Sequence, residues 1–211
     1  MVRPRTGDFL YTPEEFNIIL EDIKVFKQAG AHGIVCGVLK ADGTVDVART
    51  ERLVAETTPL EFCFHRAFDM TRDPLEAYNS LSNMGSPIRI LTSGHGPTAP
   101  ASLETLQTLL QAATERNASD RSRRITIMPG SGVNSKTIRA LLEALLPYDL
   151  DDVHLSGGRW IEGNMMHRRP DMGMGTGKET EWNIWRTDEE EIRSVRRISD
   201  EVWREVRTKK E

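Results

Sequence analysis

A histidine followed four residues later by an aspartate, His65-Arg66-Ala67-Phe68-Asp69, stands directly after the apolar run Leu60-Glu61-Phe62-Cys63-Phe64. If that run is a strand, the imidazole lies at its tip and the carboxylate in the loop beyond. A carboxylate so placed can tune a side chain that already titrates near neutrality, which suits proton transfer. His65 and Asp69 are therefore the candidate catalytic pair. The plainer alternative is an Arg66–Asp69 ion pair that only pins the loop.

Met128-Pro129-Gly130-Ser131-Gly132-Val133-Asn134 also follows an apolar run and leads into a helical pattern. The backbone N–H groups of Gly130, Ser131 and Gly132 are thus candidates to hold an oxyanion near a positive helix end. A tight turn that needs glycine for its backbone angles explains the same residues without a ligand. Arg3 and Arg5 are candidate clamps for that anion, since a guanidinium grips phosphate or carboxylate with two parallel bonds. Arg66, Ser93, His154 and Ser156, which also stand just after apolar runs, are further candidates for binding the anion. His154 and Ser156 are two apart, so on an extended chain they face the same side.

Cys36 and Cys63 are the candidate metal ligands. Cys63 and His65 share a strand face, Cys36 belongs to the preceding strand, and copper(I) is the ion that such soft ligands favour. No Cys-x-x-Cys is present, and both thiols read equally well as small core residues. Met165, Met166, Met172 and Met174, with His167 beside them, form a second soft group, or else a methionine-rich loop packed over the fold.

Bringing these residues to one rim requires repeated strand–helix units, and the pattern supplies them. Helices are expected at 13–29, 46–56, 73–84, 101–116, 135–146 and 188–207, and strands at 33–38, 60–65, 88–92, 124–128 and 152–155. Val2 and Arg3 read as the stub of another strand, whereas a closed (β/α)8 barrel takes eight. The expectation is an α/β chain of the TIM (β/α)8 type, incomplete at its front. It forms a single domain over 1–211, with an irregular insert at 157–187. A truncated gene model is the preferred explanation, with pairing to another subunit or a smaller open sheet as alternatives. Asp188, Glu189, Glu190 and Glu191 open the last helix and need no purpose beyond complementing its dipole.

The 211 residues are 38% hydrophobic, enough for one core, and carry a net charge of -4 with basic residues dispersed among acids. That balance argues against nucleic acid as a partner. No apolar stretch is long enough for a membrane span and the first residues lack a secretion signal, so the expected location is the cytoplasm. Two cysteines make no disulfide framework.

Four ordered stretches together resemble the copper homeostasis (CutC-type) family. They are Arg3-Pro4-Arg5-Thr6-Gly7-Asp8-Phe9-Leu10-Tyr11, Phe64-His65-Arg66-Ala67-Phe68-Asp69-Met70, Leu91-Thr92-Ser93-Gly94 and Met128-Pro129-Gly130-Ser131-Gly132. The resemblance runs from Met1 to Ser156 and loosely into the final helix, with Leu155 replacing the family's usual residue between His154 and Ser156. It implies a TIM barrel, here lacking the first two βα units and most of the third strand. It also implies a cytoplasmic, homo-oligomeric protein of copper tolerance and trafficking, some relatives binding copper(I) through cysteines. The first functional expectation is accordingly copper(I) binding, lost on replacing Cys36 and Cys63. The second is an enzyme acting on a small anionic or phosphorylated molecule, with Gly130, Ser131 and Gly132 as cradle, Arg3 and Arg5 as clamps, and His65 with Asp69 as acid–base pair. A non-catalytic interaction module is the third.

Overall fold

Thr12 opens the first helix, α1 (Pro13–Gln28), with a reciprocal cap: its hydroxyl accepts the Glu15 N–H while the Glu15 carboxylate accepts the Thr12 N–H. Phe16, Ile19 and Ile23 form its buried stripe. Strands and helices then alternate through β1 (Gly33–Cys36), α2 (Val47–Thr57), β2 (Glu61–Phe64), α3 (Pro74–Ser82), β3 (Ile88–Thr92), α4 (Leu103–Ser119), β4 (Ile125–Pro129) and α5 (Ile138–Leu145). The four strands pair in parallel in the order β1-β2-β3-β4, the α/β architecture that the alternation predicts. The structure is a computed structural model that describes residues 1–120, 123–169, 172–173 and 175–208.

Register decides which side chains share a face. Ile34 pairs with Phe62, Cys36 with Phe64, Ile88 with Ile125 and Ile90 with Ile127. These eight are buried in one cluster with Ile19, Leu53, Leu81, Leu106 and Leu141 of the helices. Val35, Cys63, Arg89, Leu91, Thr126 and Met128 occupy the opposite face.

Extended segments flank the sheet on both sides. The Val2 N–H donates to Val35 O at 2.8 Å beside β1, and the His154 N–H donates to Pro129 O at 2.8 Å beside β4. Among the described residues, the strand expected at 152–155 therefore makes one ladder bond. Asp151 and Asp152 are held instead by Arg124 and Arg89. The stretch 157–187, expected to be irregular, contains an antiparallel pair, β5 (Gly158–Glu162) and β6 (Asn183–Thr187), with Trp160 opposite Trp185. Its strands lie twenty residues apart in sequence, so no short turn signals the pairing. Most of its side chains are exposed, so no one-sided alternation marks it.

The last helix, α6 (Glu189–Thr208), buries Val195 and Val202 and is tied to α5 by Arg139, which reaches Glu201 and Glu205 at 3.2 Å. Among the described residues no helix is long and apolar enough to cross a membrane.

Candidate functional site

Parallel strands place their carboxyl ends on one side, and the loops leaving those ends enclose a cavity of about 300 Å³. Arg3, His65, Arg66, Ser131, Gly132, His154 and Ser156 all line it, between apolar walls of Phe9, Leu91, Val133 and Leu155. Among the described residues no carboxylate lines it. In a chain with 32 acidic and 28 basic residues, the charged side chains lining this cavity are Arg3 and Arg66, and of the two only Arg66 is paired with a carboxylate, that of Asp69.

His65 is 3% exposed and held from two sides. Its Nδ1 accepts the Ala67 N–H at 3.2 Å, capping the 3-10 turn Arg66–Met70, and the Phe9 ring stands edge-on at 4.9 Å. Gly37 permits this seat, since a Cβ there would lie 2.8 Å from Nδ1. Burial, with Arg3 adding repulsion, pushes the imidazole pKa down to about 4. The ring is thus neutral at physiological pH, and because Nδ1 is an acceptor its proton sits on Nε2. Nε2 is buried and has no hydrogen-bond partner among the described residues. An unanswered donor of this kind costs about 1–3 kcal/mol, unless water or a ligand takes it.

The loop after β4 contributes further donors. Ser131 and Gly132 both have left-handed backbones, φ 76° and 72°, and a Cβ at Gly132 would lie 2.7 Å from Thr98 Cβ. Ser131 holds this conformation because its carbonyl accepts the Ala99 N–H and its hydroxyl donates to Pro97 O. The N–H groups of Ser131, Gly132 and Val133 have no acceptor among the described residues. Gly130, expected to join this cradle, does not: its N–H already donates to Thr92 O at 2.9 Å, and a Cβ there would meet Leu91 Cδ1 at 2.6 Å.

Other expected members are placed elsewhere. Arg5 is committed to Glu15 at 2.6 Å, Asp8 at 2.9 Å and Leu10 O at 2.9 Å, so it braces the segment before α1 and clamps nothing at the cavity. Asp69 does not line this cavity and makes no hydrogen bond to His65 among the described residues. Its carboxylate accepts the Thr92 hydroxyl, the N–H groups of Ser93 and His95, and Arg66 Nε at 2.7 Å. Ser93 accepts from Arg66 Nη2 at 2.9 Å, so Ser93 and Asp69 together aim the Arg66 guanidinium. Glu191 does more than complement the dipole of α6. Its carboxylate accepts the Ser135 N–H at 2.6 Å and hydroxyl at 2.8 Å, so the protein's own anion occupies the helical side of this loop. Fifty-six residues separate the two, and no local signal announces the contact.

Over residues 1–158 the chain matches the CutC family. It belongs to that family. Family protein CutC of Klebsiella pneumoniae (strain 342) is 38% identical over 174 residues, 82% of this chain and 65% of that protein. Family protein CutC of Chromobacterium violaceum is 35% identical over 202 residues, 96% of this chain and 77% of that protein. The chain therefore spans about two thirds to three quarters of these relatives' length. Among solved structures, the putative copper homeostasis protein CutC from Streptococcus agalactiae superposes with a TM-score of 0.63 at 26% identity, covering 73% of this chain and 70% of that one. The CutC match ends at Gly158, where β5 begins.

In this CutC chain the two cysteines do not meet as a ligand pair. Cys36 pairs in register with Phe64 and Cys63 with Val35, so their side chains point to opposite faces of the sheet. Both thiols are buried, and burial pushes their pKa values up to about 12 and about 11. Among the described residues no group of three or more His, Cys, Asp or Glu side chains is placed to hold a metal ion. Met165, Met166 and Met172 are 60%, 95% and 46% exposed, so they do not pack as a cover, and Met174 lies outside the described residues.

Proposed function

We propose that this chain is a copper homeostasis protein of the CutC type, working in the cytoplasm, whose strand-tip cavity binds a small anionic ligand. The observation that carries the anion reading is the lining: Arg3, Arg66, His65 with its unpartnered Nε2, and the Ser131–Val133 segment with its unpartnered amides stand around one cavity that has no carboxylate among its described lining residues. His65 acts there as a neutral hydrogen-bond donor, because it is uncharged and its other nitrogen is engaged. Asp69 serves as the pin that orients Arg66.

The sheet is read as part of a TIM (β/α)8-type barrel. The Arg3 segment runs beside β1 and the His154 segment beside β4, which on a flat sheet puts them about 24 Å apart at about 4.8 Å per strand. Both nevertheless line one cavity of about 300 Å³, which supports the barrel reading.

Calorimetric titration with inorganic phosphate tests the anion site. The wild-type chain is expected to bind saturably, and Arg3→Ala, a change at an exposed residue, to weaken binding about tenfold through one lost charge-assisted contact. Absence of binding heat with millimolar phosphate would sink the reading.

Copper(I), as cargo, is not assigned to Cys36 and Cys63, which the register keeps apart and burial keeps protonated. In a chelator competition, any copper(I) uptake by the wild-type chain is expected to persist unchanged in the Cys36→Ala/Cys63→Ala double variant. A stoichiometric site lost in that variant would restore the thiol pair as ligands.

A further inference from the structure

A second cavity, of about 670 Å³, adjoins the first, and the two share three wall residues, Arg3, Phe9 and Arg66. Its charges are unevenly answered. Asp8 is neutralised by Arg5, and Asp69 by Arg66 together with Thr92 and Ser93. Arg3 and Lys40 have no carboxylate partner among the described residues; the Arg3 guanidinium lies 4.7 Å from the Phe9 ring centroid and donates to Gly7 O. The outer cavity also contains Leu10, Leu39 and Met70, of which Leu10 and Met70 are 45% and 65% exposed.

We propose that the ligand is an organic anion with one charged head and an apolar body. The head, a phosphate or carboxylate, sits on the His65 Nε2–H and the Ser131–Val133 amides. The body crosses the shared wall and rests against Leu10, Leu39 and Met70. The proposal rests on the anion reading of the inner cavity and names the class of molecule bound there. A bare inorganic ion would leave most of the inner cavity, and its Phe9, Leu91 and Val133 walls, unfilled. Sites that combine apolar walls with a few convergent donors take organic ligands, and about 300–1,000 Å³ is their usual volume. The Arg3–Phe9 contact suits a crossing point, since a guanidinium over an aromatic ring keeps its N–H edges for the head while the ring offers an apolar surface to the body.

Calorimetry with inorganic phosphate, 3-phenylpropyl phosphate and 4-phenylbutyrate tests it. At least one organic anion is expected to bind tenfold or more tighter than inorganic phosphate. Met70→Asp, at an exposed position, is expected to remove most of that gain while leaving inorganic phosphate affinity within twofold of wild type. Leu10→Asp, also exposed, serves as the second variant if the first is poorly folded, with the same expectation. If neither organic anion binds tighter than inorganic phosphate, or the gain survives both variants, the proposal fails and the inner anion site still stands. If none of the three probes binds, the inner site falls with it.

Discussion

Replacing Asp69 with alanine is expected to destabilise the protein by about 3 kcal/mol, the largest effect of any change near the site. The carboxylate is 5% exposed and gathers the Thr92 hydroxyl, the Ser93 and His95 amides and the Arg66 guanidinium around two oxygens. Removing it orphans donors in the loops after β2 and β3 together. Arg66 is 44% exposed, so water recovers part of its loss, which keeps the figure at the lower end of what breaking a buried pair costs. For a chain of this size, 1 kcal/mol lowers Tm by about 2–4 °C, so Asp69→Ala should melt roughly 6–12 °C below wild type. Asp69→Asn keeps one acceptor oxygen and is expected to fall between the two. Since Asp69 also aims Arg66, phosphate affinity should drop in both variants. An Asp69→Ala protein melting within 2 °C of wild type would show that the carboxylate is not the pin described.

The second large effect concerns acid. His65 titrates near 6.5 when unfolded and near 4 when folded. Between those values the unfolded chain binds more protons than the folded one, so stability rises with pH through this window. The neutral histidine's contribution is complete above about pH 6.5 and is lost as pH falls towards 4, amounting to about 3 kcal/mol. Carboxylates also titrate at the acid end, so the measurement is a difference. His65→Asn retains an acceptor for the Ala67 N–H but has no group to protonate. Urea unfolding at pH 7.5 and pH 4 should show wild type losing about 3 kcal/mol more than His65→Asn. Parallel losses would mean that the folded imidazole protonates as freely as the unfolded one.

These two residues show where local pattern stops informing. Their strand-tip location was legible, because an apolar run followed by His-Arg-x-x-Asp marks the end of a parallel strand. Their partnership was not. His65 turns its Nδ1 to the Ala67 amide and Asp69 turns to Thr92 and Ser93, more than twenty residues away. Arg5 repeats the lesson: two positions from Arg3, it is drawn to Glu15 by the cap of α1. The cysteines depended on registration alone, for a shift of one residue between β1 and β2 exchanges faces.

Sequence by itself determined the alternation of strands and helices, the family, and the set of polar residues at strand tips, because apolar periodicity and turn residues act over a few neighbours. Tertiary structure alone decided which of those residues share the cavity, that Cys36 and Cys63 face apart, that Glu191 fills the Ser135 amide, and that β5 finds β6. Each of those outcomes depends on contacts between segments distant along the chain, where strand register, burial and the competition among hydrogen-bond partners choose the pairing, and none of these is encoded in spacing.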